Sequence, residues 1–212
     1  SARSTASQPP FAPPWFDLDR SRGSLCPRRA RDLRSMGGAA SEEQASLAIE
    51  NAKHPAPWES SSRWFRAAEV GDIDMLRQLV DVFGVDARDG RGLTALMVAA
   101  ACGCEDSTSF LAKRGADLDA ADGRGWTAAT YAAFKGQDRC LSRLVEYGAN
   151  LDARDFLGTT AAMRAALGGH ESCLRILAES GADMLAVDNL GMAAIVHAGR
   201  KGHQECVLLL QE

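Results

Sequence analysis

An all-α solenoid of about five stacked helix–turn–helix units, with turns projecting as fingers and a disordered arm in front, is the fold this sequence predicts. Three glycine ladders predict it. Gly92, Gly125, Gly158 and Gly191 stand 33 residues apart. Gly103, Gly136, Gly169 and Gly202 keep the same step, and so do Gly115, Gly148 and Gly181. One period shared by three ladders means that a single supersecondary unit recurs along the chain. Such a chain works as a stacked binding surface.

The composition agrees. The chain has 212 residues, 46 % of them apolar, with alanine abundant and large apolar residues few. Small side chains suit close helix–helix contact better than one thick core. No apolar stretch reaches the roughly 18 residues of a membrane-spanning helix. The net charge of -4 is unevenly placed. Residues 1–40 hold seven Arg and three Asp, so a basic arm precedes an acidic body. Its arginines are not interleaved with aromatics, which argues against nucleic-acid binding.

Residues 1–40 are rich in Ser, Pro, Arg and Gly without helical or strand period, and are expected to be disordered. The arm resembles a transit peptide, against which Asp17, Asp19 and Asp32 count. Met36-Gly37-Gly38-Ala39-Ala40-Ser41 fits the N-myristoylation pattern, with Gly37 as acceptor if Met36 initiates translation. One such chain gives only marginal, reversible membrane attachment, with a binding constant of about 10⁴ M⁻¹. The alternative is a Gly-containing linker. Residues 41–58 read as a short capping helix and linker. Ser41-Glu42-Glu43-Gln44 is a capping box that opens a helix to about Lys53. Pro55 and Pro57 are expected to end it, and Trp58 to pin it onto the first unit.

The units fill residues 61–212, as 61–88, 89–121, 122–154, 155–187 and a partial 188–212. The first is divergent and one residue short between Leu79 and Val85. In the unit at Asp122, Asp122-Gly123-Arg124-Gly125 is a turn with glycine where positive φ is required. Thr127 caps a helix of small residues, Ala128 to Phe134, which Gly136 breaks. A second helix from about Asp138 to Tyr147 carries Cys140, Leu141, Leu144 and Val145 on one stripe. Gly148 supplies its left-handed cap. Such a unit cannot bury its apolar face alone, but a stack can.

These residues resemble the ankyrin-repeat family. The matches include Gly125-Trp126-Thr127-Ala128-Ala129, Ala132-Ala133, Gly136 and Gly148-Ala149-Asn150, with counterparts in neighbouring units, over roughly 150 residues. The family's T-P-L-H step departs throughout: Thr94-Ala95-Leu96-Met97, Thr127-Ala128-Ala129-Thr130, Thr160-Ala161-Ala162-Met163 and Ala193-Ala194-Ile195-Val196. In the family that His bridges backbone between repeats. Its loss removes a hydrogen bond of about 1 kcal/mol net per repeat. The fold is therefore expected with modest stability and fraying ends. His170 and His203 occupy the family's Gly-His step, where the resemblance implies that they help to start the second helix. At the last edge, Leu208 stands where Ser142 and Arg175 face solvent. An apolar residue there implies a docking edge or a longer array.

The resemblance implies a protein-interaction scaffold or adaptor, not an enzyme, with the partner held on the concave face by turns and inner helices. The turns present Arg91, Leu93, Arg124, Trp126, Phe156, Leu157, Asn189, Leu190 and Met192. The inner helices present Phe134, Lys135, Leu167, Arg200 and Lys201, and the preceding loops Arg88 and Arg154. Seven of these are cationic and none acidic. A partner protein with acidic charge around one or two apolar anchors is expected, and the alternative is that the arginines are merely solvated. A monomer is expected. Two further readings are a regulatory or docking region of a longer enzyme and a lipid-tethered adaptor.

Catalytic chemistry is not encoded in recognisable form. No H-E-x-x-H, G-x-S-x-G or phosphate-loop motif occurs. No cofactor is expected. The acidic residues at unit starts read as turn residues. Cys140, Cys173 and Cys206 are 33 apart. Equivalent positions in a stack sit about 10 Å apart, beyond the roughly 7 Å Cα separation of a disulfide. They read as small buried apolar residues in a reducing compartment, the cytoplasm. Cys102 and Cys104 lack matching ligands for a metal site.

Overall fold

The computed structural model describes the backbone of residues 57–211 and the side chains of residues 63–211. The basic arm, Gly37 and the expected helix to Lys53 lie outside the described residues, as does the Trp58 side chain. The described residues contain ten helices in five consecutive pairs. These are α1 Pro57–Val70 with α2 Ile73–Phe83, α3 Ala95–Cys102 with α4 Glu105–Lys113, α5 Ala128–Lys135 with α6 Asp138–Glu146, α7 Ala161–Gly168 with α8 Glu171–Glu179, and α9 Ala194–Lys201 with α10 Gln204–Leu209. The first members of the pairs pack on one another in chain order, and so do the second members. The two rows form a regular pile.

Local signals explain each boundary. Thr94 and Thr127 adopt extended backbone, and their hydroxyls accept the amides of Met97 and Thr130, so α3 and α5 start there. The inner helices α3, α5, α7 and α9 stop at left-handed Gly103, Gly136, Gly169 and Gly202. The outer helix α6 ends in a Schellman pattern: Ala149 donates to Leu144 O and Gly148 to Val145 O. Gly115 and Gly181 repeat it. Pro57 opens α1, because the first helical position needs no N–H and suits a fixed φ. The divergence of the first unit falls in α2, which has 11 residues against 9 in α4, α6 and α8.

One continuous core runs the length of the pile. Alanines such as Ala99, Ala100, Ala132, Ala133, Ala165 and Ala166 fill the contacts between inner helices. They have no side chain beyond Cβ, so the helices approach closely. The outer helices contribute the large residues Leu111, Leu141, Leu144, Leu174 and Leu177. Cys140, Cys173 and Cys206 are buried thiols, outside any disulfide, in the same layer. Burial pushes the Cys173 thiol up to about 12, with Asp138 adding to the effect, so it acts as a small apolar group. Leu208 is exposed, as expected.

Side-chain bonds cross the unit boundaries. His170 and His203 cap no amide; instead Nε2 donates to Phe134 O at 3.0 Å and Leu167 O at 3.3 Å, back into the preceding inner helix. Gln137 makes the equivalent bond to Ala101 O at 3.3 Å, and Cys104 Sγ to Glu69 O at 3.0 Å. The expected helix-starting role is thus corrected to an inter-unit one. It explains Gly136 twice over: φ is +70°, and a Cβ there would lie 2.5 Å from the His170 ring. Gly181 has φ +81° but open space around it.

Gly136→Ala and Gly181→Ala both carry the left-handed penalty of roughly 1 kcal/mol. Only Gly136→Ala also displaces the His170 ring, so its urea midpoint should fall further. Equal midpoints would show that the ring contact contributes nothing.

Candidate functional site

Four fingers are built on one carboxylate each. The Oδ1 of Asp89 accepts the amides of Arg91 and Leu93 at 2.8 and 2.9 Å. Asp122 does the same for Arg124 and Trp126, Asp155 for Leu157 and Thr159, and Asp188 for Leu190 and Met192. Asp side chains favour such local turns because the carboxylate reaches amides two and four residues on. In three fingers Oδ2 is latched to the inner helix. Tyr131 Oη donates to Asp122 at 2.7 Å, Arg164 pairs with Asp155, and His197 Nε2 donates to Asp188 at 2.9 Å. The first finger has Val98 at the latching position, and Asp89 faces Arg91 at 3.8 Å instead.

The fingers are sewn to one another main chain to main chain. Gly123 N–H donates to Arg91 O at 3.1 Å, Phe156 N–H to Arg124 O at 3.2 Å, and Asn189 N–H to Leu157 O at 3.0 Å. Below the tips, Arg88 Nη1 donates to Ala121 O at 2.6 Å and Arg154 Nη1 to Val187 O at 2.9 Å. Each guanidinium staples its unit to the next.

Trp126 lies at the base of the second finger. The guanidinium carbons of Arg124 and Arg164 each lie 4.5 Å from its ring centre. Tyr131 and Phe134 meet it edge-on at 5.1 and 5.2 Å. Cations over an indole face are attracted by its quadrupole, by about 0.5–1 kcal/mol where exposed and more where desolvated. Burial and then the bond to Asp122 push the Tyr131 phenol above its ordinary range, so it stays a donor. For Asp155, burial raises the carboxyl, but the Thr159 and Arg164 bonds outweigh it and the group sits below its ordinary value. The Met192 amide, followed by Leu190 and His197, holds Asp188 low as well.

The expected contact residues fall into three groups. Arg88, Arg91, Arg124, Lys135, Arg154, Phe156, Leu157, Arg200 and Lys201 are exposed. Phe134 and Leu167 are half-buried. Leu93 and Trp126 are each only 6 % exposed. This corrects the expectation of Trp126 as a surface anchor, because two arginines and two aromatics close over it. It is a platform that fixes Arg124. Leu167, Arg200 and Lys201 meet with His197 around an open recess of about 330 Å³. Tyr131, Arg164 and His197 were not anticipated as latches. Their signal is a constant nine-residue step from the finger Asp, masked by three unlike side chains at one position.

Among the described residues no three His, Cys, Asp or Glu side chains converge as a metal site. No described helix is long and apolar enough to cross a membrane. Residues 64–155 and 151–212 match a family model described as ankyrin repeats (3 copies). A comparison with curated proteins found no match.

Stability should fall in two steps on acidification. Burial lowers the His170 pKa, so its neutral form favours folding; that contribution is present above the unfolded value of about 6.5 and shrinks as pH drops below it. The depressed Asp155 and Asp188 contribute above the ordinary carboxylate value of about 3.9, and their stabilisation disappears as pH falls through their folded values. His170→Gln keeps the donor and should remove the first step from a series of urea midpoints. A wild-type midpoint unchanged between neutral pH and pH 5 would refute the assignment.

Proposed function

Because the chain belongs to the ankyrin-repeat family, we propose that its finger row captures another protein, as a scaffold or adaptor. Ankyrin repeats are protein–protein interaction modules, typically non-enzymatic. The bound segment carries acidic charge and one or two apolar anchors, and the chain binds it as a monomer in the cytoplasm.

One observation carries this reading. The tip position of successive fingers is Arg91, Arg124, Leu157 and Leu190, and all four are exposed. The carboxylates beneath the last three are buried and bonded. The row therefore presents positive charge and apolar surface while its acids are turned inward. Arginine is among the residue types most enriched in binding hot spots, and the exposed leucines supply apolar surface beside it. Lys135, Arg200 and Lys201 extend the positive charge down the inner helices.

The test compares the intact chain as bait with Arg91→Glu/Arg124→Glu and with Leu157→Ser/Leu190→Ser. Each pair should lower capture by about tenfold or more, with the circular dichroism unchanged. Capture indifferent to both pairs would refute the finger assignment. Trp126→Ala is unsuited to this test: emptying the platform should destabilise the fold by about 3–5 kcal/mol, read as a lower urea midpoint. An unchanged midpoint would show that the platform is dispensable.

A further inference from the structure

Arg88, Arg124, Arg154 and Arg164, around the finger row, each hold an oxygen. Arg88 and Arg154 bond carbonyls of the next unit, Arg124 bonds Tyr131 Oη, and Arg164 pairs with Asp155. Arg200 and Lys201, at the end of α9, differ. Arg200 Nη1 rests on the Met192 thioether at 3.0 Å. Among the described residues neither cation pairs with a carboxylate. Both are exposed, and with Leu167 and His197 they line the open recess of about 330 Å³. We propose that this recess takes a phosphoryl group carried by a side chain of the captured protein. The inference rests on the finger-row reading for the partner and names the anion that partner brings.

Three observations support it. The first is charge. The lining residues include two cations and no carboxylate. Asp188, behind His197, has a side chain only 4 % exposed, and its oxygens are taken by the Leu190 and Met192 amides and by His197. A phosphoryl group carries about −1.5 to −2 charges at neutral pH and three acceptor oxygens. The Arg200 fork matches two of those oxygens, and the Lys201 ammonium, a compact point charge, matches the third. A single carboxylate leaves one of the two cations unmatched.

The second is exchange. A thioether is a weak acceptor, so Arg200 loses little on leaving Met192 for an anionic oxygen. Charge-assisted bonds of that kind are about twice as strong as neutral ones. The third is shape. One repeat position holds Lys135 in α5, Gly168 in α7 and Lys201 in α9. Gly168 brings no side chain beside Leu167, and a Cβ there would lie 2.5 Å from the His170 ring. Leu167 is left as an apolar wall for the carbon atoms that carry the phosphoryl group. The volume lies at the small end of the roughly 300–1,000 Å³ typical of ligand sites, which suits one modified side chain.

The probe is phenyl phosphate, titrated into the intact chain at constant ionic strength and followed by the amide resonances of Gly199, Lys201 and Gly202. Saturable shifts confined to this end of α9 are expected, with a dissociation constant on the order of millimolar. Arg200→Gln/Lys201→Gln should weaken binding about tenfold or more. Arg200→Lys keeps the charge at the helix end but loses the fork. It should weaken binding with the urea midpoint unchanged, which guards against a variant that merely loosens α9. Benzoate, the same ring on a carboxylate, should bind about fivefold or more weakly than phenyl phosphate. In the bait assay, phosphatase treatment of the captured protein should lower its recapture.

Equal affinity for benzoate, binding unchanged in the double variant, or recapture indifferent to phosphatase overturns the proposal. So do shifts scattered over exposed cations elsewhere. Capture of vesicles containing phosphatidylinositol phosphate that needs Arg200 and Lys201, with no saturable shift from phenyl phosphate, also overturns it, because the anion is then a lipid headgroup. The two readings fail separately. Capture lost with Arg91→Glu/Arg124→Glu in a chain that ignores phenyl phosphate removes the recess and leaves the finger row. Saturable phenyl phosphate binding with capture indifferent to the finger pairs does the reverse.

Discussion

A carboxylate at the start of the second to fifth units, buried in the last three, has its oxygens divided between two tasks. Oδ1 gathers the amides that bend the finger, and in three units Oδ2 holds the finger to the inner helix. A buried ionised group is costly unless it is fully bonded. Here each bond that satisfies it also fixes a loop that carries no regular secondary structure of its own. Remove the carboxylate and the finger has no reason to keep its shape, the seams between fingers lose alignment, and the row of tips ceases to be a surface. The finger row takes its shape from this group.

The pile is held by two kinds of interaction of different reach. Apolar contact between alanine-rich helices is dense but undiscriminating, since one alanine layer resembles the next. The directional bonds from Cys104, Gln137, His170 and His203 to carbonyls of the preceding inner helix set rotation and height. At about 0.5–1.5 kcal/mol net each they add little individually, but in a linear array every interface must hold for the whole to stay cooperative.

Much of this was legible in the sequence because the period is written in glycine. Gly136 and Gly148 mark helix ends by a conformation other residues avoid, so helix limits were readable to within a residue. The exposed tips were readable too, since register alone places Arg124 and Leu157. What register does not reveal is which side chain folds over which. Trp126 sits in the finger, yet its burial depends on Arg164, which belongs to the next unit. The latches were hidden for a related reason. A phenol, a guanidinium and an imidazole do one task at one position, so the chemistry repeats while the letters do not. The same holds for the Cys, Gln, His and His of the cross-unit bonds.

The seams between fingers run through peptide groups, and at the last one Asn189 Nδ2 adds a bond to Phe156 O at 3.1 Å. Among the tips, Arg124 closes over Trp126 and bonds Tyr131 Oη, and Arg91 faces Asp89. The side chains of Leu157 and Leu190 stand exposed. Those two positions can change letter by letter while the scaffold stays intact, and descendants of this chain could diverge in surface without diverging in how they stand.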